Sequence, residues 1–281
     1  MIRVVLSGGV GNQLFQYAAG RALALARNTE LQVDRPTAKL TTVRRERVIP
    51  SLQTAAKEAS LFASIYRKWA IKHHCTHLMR GRVFYQVGYE FSESFFELPD
   101  ETTLFGFFQN ERYFKPFSDR IRSDLSFNLD PPTPETNRLI ARIQEDNAVS
   151  VHVRRGDYLN IESFNVCTKA YYIEAIKLLR NKLKNPRFYF FSDDIDWCCH
   201  HFKSEDFIIC HLPESKQSSI HDLKTMSLCQ HHIIANSSFS WWGAWLNRNP
   251  NKIVAAPYKW FNSQNDPVDN ILCDGWLKIR F

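Results

Sequence analysis

Apolar and polar positions change period in blocks along the chain, and each block predicts an element. Ile2-Arg3-Val4-Val5-Leu6 reads as a strand and Gly8-Gly9-Val10-Gly11 as a turn, while Leu14, Phe15, Ala18, Ala19, Ala22, Leu23 and Leu25 recur at helical spacing between about Asn12 and Arg27. Leu31 to Val33, Val83 to Val87 and Leu104 to Phe108 are expected strands, and Asn110 to Arg122 a helix. Asp130-Pro131-Pro132-Thr133-Pro134 interrupts regular structure. Beyond it, β-branched and aromatic runs at Ala148 to Val153, Phe188 to Phe191, Phe207 to Ile209, Ile233 to Ala235 and Ile253 to Ala256 alternate with helical patterns near 135–145, 171–183, 218–229 and 239–248. Strands alternating with helices imply parallel sheets. The expected organisation is therefore two α/β domains, 1–130 and 135–281, facing a cleft where the carboxyl ends of the strands collect ligands.

Composition agrees with a globular protein: 281 residues with 44% apolar content can close a core. The net charge of +7 is concentrated, because residues 35–82 hold 11 Lys or Arg against only Glu46 and Glu58. Within that segment Leu61, Phe62, Ile65, Tyr66 and Trp69 fall on one helical face, expected to be a core-facing stripe with a solvated basic back. The alternative partner for such a segment is an anionic membrane surface. No nucleic-acid-binding motif appears, so nucleic acid is not an expected partner. There is no run of roughly 18 apolar residues and no signal-peptide pattern. The seven cysteines lack framework spacing. Together these predict a cytoplasmic location, peripheral at the inner membrane face if the basic segment meets lipid.

Chemistry concentrates at His152-Val153-Arg154-Arg155-Gly156-Asp157, where an apolar strand ends in two guanidiniums, a glycine and a carboxylate. Alternation puts His152 and Arg154 on one face and sends Val151 and Val153 to the core. A guanidinium fork suits a diphosphate, and it would neutralise charge growing on a departing nucleotide. Asp157 is placed to orient an arginine or to act as a base, and Arg155 with Asp157 is expected to brace the turn. Gly9, Gly11 and Asn12 sit in a strand-to-helix turn where backbone can approach a ligand. Ser237 and Ser238 open a helix whose N–H groups can meet phosphate. Ser192, Asp193 and Asp194 end another strand, where they bind ribose hydroxyls or cap the next helix. Trp241, Trp242 and Trp245 are expected in the core. Cys198-Cys199-His200-His201 lacks the spacing of a tetrahedral zinc site, and Asp193-Asp194 lacks the intervening residue of an Asp-x-Asp metal motif, so no metal or other cofactor is expected.

The His152–Asp157 stretch resembles the donor-binding motif of the α1,2-, α1,6- and protein O-fucosyltransferases. With Gly8-Gly9-Val10-Gly11-Asn12-Gln13-Leu14-Phe15-Gln16-Tyr17, Phe191-Ser192-Asp193-Asp194 and Asn236-Ser237-Ser238-Phe239-Ser240-Trp241-Trp242-Gly243, it is similar in content and order to glycosyltransferase family 11. The resemblance implies a GT-B-like fold of two Rossmann-like domains. It implies inverting, metal-independent transfer of L-fucose from GDP-β-L-fucose to O2 of a terminal galactose on an oligosaccharide acceptor. It places His152 on the guanine side of the donor, Arg154 on its β-phosphate, Asn12 at its reactive end from across the cleft, and Asp222 at guanine N1 and N2, with Asn236 in the donor block. An α1,6-fucosyltransferase or a non-catalytic sugar-nucleotide binder is the alternative.

Overall fold

The computed structural model describes residues 1–34, 56–126, 131, 133–211 and 218–281, and the chain divides into two compact units, Met1–Asn128 and Leu129–Phe281. The first unit contains β1 (Ile2–Val4), α1 (Val10–Ala26), β2 (Leu31–Val33), β3 (Lys57–Glu58), α2 (Leu61–Lys72), β4 (Val83–Tyr85), β5 (Thr103–Phe105) and α3 (Ser118–Asp124). Its five strands lie in the order β3-β2-β1-β5-β4, with every pairing parallel. Helix α1 covers this sheet with Leu14, Phe15, Ala18, Ala22 and Leu23, all inaccessible to solvent, as its spacing predicts. Its far end is tied by a buried ion pair, Arg21 Nε to Asp124 Oδ2 at 2.6 Å. The helix expected from Asn110 to Arg122 is instead two 3-10 turns, Glu111–Tyr113 and Lys115–Phe117, followed by α3. Pro116, which donates no N–H, and the extended Asn110, whose side chain accepts from Arg112 N, account for the break.

Helix α2 departs from the core-facing expectation. Ser64, Arg67, Ala70 and Ile71 are its buried positions, whereas Leu61, Phe62, Ile65, Tyr66 and Trp69 are exposed. The reason is an anchor: Arg67 is nearly buried and pairs through Nε with the buried Asp34 carboxylate at 2.8 Å, at the end of β2. Ala70 and Ile71 then pack with Val5, Met79, Val83 and Phe105.

The second unit contains α4 (Pro134–Glu145), β6 (Asn147–Val153), α5 (Lys169–Lys182), β7 (Pro186–Ser192), α6 (Ile195–His201), β8 (Phe207–Ile209), α7 (Ser218–Ser227), β9 (His231–Ile233), α8 (Ser238–Leu246), β10 (Val254–Pro257), α9 (Val268–Ile271) and β11 (Leu277–Ile279). Its sheet is parallel throughout, in the order β11-β10-β9-β6-β7-β8. Counted from β6 this is the doubly wound 3-2-1-4-5-6 arrangement. Val149, Val151 and Val153 pack under Tyr171, Tyr172, Ile176 and Leu179 of α5. Trp241, Trp242 and Trp245 of α8 are buried as expected, and the Trp241 indole donates to Ile271 O at 2.8 Å. Each unit is thus Rossmann-like, the make-up of a GT-B-like enzyme. Among the described residues no helix is long and apolar enough to cross a membrane.

Candidate functional site

In the second unit, the chain runs outward from β6 through β7 to β8, then returns to lay β9 on the other side of β6. The connections leaving β6 and β9 therefore diverge, and the crevice at their carboxyl ends is where such a sheet takes a ligand. Two sequence motifs meet there. β6 ends at Val153 and delivers Arg154 to Asp157; β9 ends at Ile233 and delivers Asn236, Ser237 and the N-terminus of α8. Ser237 caps that helix, its Oγ accepting from Phe239 N at 3.3 Å, and Ser238 is the first helical residue. The positive end of the α8 dipole thus lies at the crevice.

His152 faces the α8 side of the sheet, its ring centre 5.5 Å from that of Phe239. It is 7% exposed, and its Nδ1 is buried with no hydrogen-bond partner. Burial, with the Arg154 charge second, pushes its pKa down to about 3, so the imidazole is neutral at physiological pH. A buried polar atom without a partner is costly, and it is ordinarily retained where a ligand supplies the missing contact.

The pairing of β6 with β7 sets Val153 opposite Ser192, which brings the segment after each strand alongside the other. Arg154 Nη2 meets Asp157 Oδ1 at 2.5 Å and its Nη1 meets Asp193 Oδ2 at 2.9 Å. The guanidinium lies 5.2 Å from the Tyr158 ring centre. Gly156 leaves room beside it, since a Cβ there would stand 2.5 Å from Asp193 Oδ2 and push that carboxylate aside. Arg155 does not pair with Asp157 as expected. Its backbone N–H donates to Asp193 Oδ1 at 2.9 Å, its Nε pairs with Asp194 Oδ2 at 2.9 Å, and its guanidinium sits 4.1 Å over Trp197. The pairing register, which places Asp194 rather than Asp157 within its reach, decides this. The Arg155 hydrogen bond holds Asp194 below the usual carboxylate range. Asp194 also caps α6 through Trp197 N at 3.1 Å, and Ser192 Oγ accepts from Asp194 N at 2.9 Å. Asp194 thus performs the capping role open to this acidic turn.

Asn236 is buried, and its side chain is bonded within the protein. Its Nδ2 donates to Phe164 O and Trp260 O, both at 2.9 Å, and its Oδ1 accepts from Cys167 Sγ at 3.4 Å. It braces the loop before α8, where Tyr158 joins the two motifs by donating to Asn236 O at 3.4 Å. Burial pushes the Tyr158 phenol up to about 12, which keeps it a donor. Asp222 is half-buried in the second turn of α7.

In the first unit the reversal lies between β1 and β5. Gly8 takes a left-handed φ of +77°, and a Cβ there would meet Asn12 Nδ2 at 2.6 Å. Gly9 is the N-cap of α1, Gly11 is buried in its first turn, and Asn12 Oδ1 accepts from Gln109 Nε2 at 2.7 Å. Two buried glutamines hold the turn. Gln13 Nε2 donates to Gly8 O at 3.1 Å, and Gln16 accepts from Ser7 N at 2.8 Å while donating to Gly106 O at 3.0 Å. Gln16 lies in the quoted glycine block, so its part could have been found; Gln109 sits in no motif. Among the described residues no group of three or more His, Cys, Asp or Glu could hold a metal ion.

Two Rossmann-like units, the first with a glycine-rich turn and the second with a charged turn at its chain reversal, define a GT-B-like fold. Residues 1–280 match the model of Glycosyl transferase family 11, and the chain belongs to that family. It is a glycosyltransferase. It is 33% identical to an alpha-1,2-colitosyltransferase of Escherichia coli, covering 98% of this chain and 97% of that one. It is 29% identical to the O-antigen biosynthesis glycosyltransferase WbnK of Escherichia coli, covering 98% of this chain and 99% of that protein. Galactoside alpha-(1,2)-fucosyltransferase 1 of Ateles belzebuth matches at 27% identity, covering 55% of this chain and 46% of its own length.

Proposed function

We propose that the chain transfers L-fucose from GDP-β-L-fucose to O2 of a terminal β-galactoside, with inversion and without a metal. The observation that carries this reading is the meeting, at one chain reversal, of Arg154, the N-terminus of α8 and the unpartnered His152 Nδ1. A fork of N–H donors and a helix N-terminus suit a diphosphate, and a neutral imbedded imidazole suits a base edge. The acceptor oxygen attacks C1 on the face opposite GDP, the bond from C1 to the β-phosphate oxygen breaks with its electrons leaving on that oxygen, and Arg154 meets the growing charge. The acceptor proton passes to water late. Asp157 is not assigned as the base, because Arg154 engages its carboxylate. Asp222 reads guanine in this scheme, and Asn12 keeps the role at the donor's reactive end that the family resemblance implies.

Colitose transfer is the second reading, favoured by the full-length match to a colitosyltransferase. GDP release measured with GDP-fucose and with GDP-colitose, each with and without lactose, separates the cases. Lactose-stimulated release from GDP-fucose supports the proposal. Stimulation with GDP-colitose alone transfers the assignment to colitose, and tight binding without release under any condition makes the chain a binder.

A further inference from the structure

Helix α2 is turned inside out relative to its sequence pattern. On a helical wheel the exposed Leu61, Phe62, Ile65, Tyr66 and Trp69 form one stripe, roughly opposite the buried Ser64, Arg67, Ala70 and Ile71. Phe62 is 87% exposed. Leu78 extends the patch: it is exposed too, and Tyr66 donates to its carbonyl at 3.0 Å. The rings form a surface ladder, Tyr66 to Trp69 with centres 6.4 Å apart and Trp69 to His73 at 5.4 Å. Helix α2 is held in this orientation from its other side, by the Arg67–Asp34 pair and by the packing of Ala70 and Ile71.

Charge rims the patch. Lys72 is exposed at the end of the helix, and Arg82 and Arg80, the latter also paired with Glu101 at 2.9 Å, are exposed just beyond Leu78. No acidic residue occurs from Ala59 to Val87. A second copy of the same face would bring these cations against one another, which disfavours self-association through α2. A single exposed helix is convex and offers no groove for a peptide. An anionic bilayer meets both demands, because its interface conforms to a convex aromatic stripe and its headgroups pair with the flanking cations.

We propose that α2 is a membrane-docking helix, laying Phe62, Ile65, Tyr66 and Trp69 into the interface of an anionic phospholipid bilayer with Lys72, Arg80 and Arg82 at headgroup level. The inference is independent of which sugar the enzyme transfers.

Flotation of the full chain with vesicles tests it. Binding is expected to phosphatidylcholine vesicles that contain phosphatidylglycerol, not to phosphatidylcholine alone, and to weaken as salt screens the cations. Lys72→Glu is expected to weaken partitioning by roughly 25-fold, each unit of charge being worth about fivefold at such a surface. The double variant Phe62→Ser/Trp69→Ser is expected to abolish flotation with an unchanged melting temperature, since both side chains are exposed. Absence of binding to anionic vesicles overturns the proposal, as does equal binding by the double variant. So does sedimentation showing a wild-type dimer that the double variant dissociates, which would assign the face to self-association.

Discussion

At the scale of single residues, the candidate site rests on how Arg154 is shared. Its guanidinium carries five N–H donors, and Asp157 and Asp193 engage one nitrogen each, so the same pairs that orient the fork leave donors for a phosphate. With a third of its side chain exposed, these ion pairs stabilise the fold by no more than about 1 kcal/mol. Position, not stability, is what they supply. Arg154→Ala is therefore expected to lower turnover by about 10²- to 10³-fold, the usual effect of losing one preorganised donor, while the melting temperature barely moves. Arg154→Lys should restore little, because a single ammonium cannot span two carboxylates and a phosphate as a planar fork does. Steady-state GDP release by the two variants checks this; near-normal turnover in the alanine variant removes Arg154 from the donor site.

At the scale of elements, the crevice depends on struts from neighbouring helices. Tyr171 of α5 is buried beneath the sheet, and its hydroxyl donates to Ile234 O at 2.5 Å and lies 3.3 Å from Ala255 O, tying the exits of β9 and β10 together. Tyr171→Phe keeps the ring and strips the phenol donor from the buried Ile234 carbonyl, at an expected cost of about 1–3 kcal/mol. A chemical denaturation midpoint equal to that of the wild type would show that the tie carries nothing. Such struts explain what could be read beforehand. The segment from His152 to Asp157 was legible because strand alternation and a strand end are local properties, and α1 because its apolar face is continuous. The inverted face of α2 was not, since apolar spacing alone says inside, and what overrides it is Arg67 meeting Asp34 from a distant strand. Arg155 was assigned the wrong carboxylate for the same kind of reason: Asp157 is near in sequence, but the β6–β7 register brings Asp194 closer. Gln109, which holds Asn12 from the far end of the first unit's chain, belongs to no pattern a sequence displays.

At the scale of the whole molecule, acid should act through the second unit, where burial lowers the pKa of His152, His231 and His232, furthest for His152 and His232. His232 donates from Nδ1 to Ser150 Oγ and accepts at Nε2 from Asn247 Nδ2, both at 2.7 Å, a pairing that only the neutral ring can make. Burial drives its pKa well below the usual value, and the nearby Lys252 adds to the shift. His152 is pushed down to about 3 for the same leading reason. Both folded values lie below the unfolded value of about 6.5, so above that pH neither state binds the proton and nothing is lost. As pH falls below about 6.5 the unfolded chain protonates while the folded one cannot, and stability declines by about 1.4 kcal/mol per pH unit for each histidine until its folded pKa is reached. Urea midpoints measured between neutrality and mild acid are expected to fall accordingly. In His152→Phe, the slope should lessen by about the share of one histidine, and the variant should also bind GDP more weakly, since the phenyl ring offers no polar contact at the crevice. A slope unchanged by the substitution would mean that His152 takes up its proton in the folded protein as readily as in the unfolded chain, against the downward shift that burial gives it.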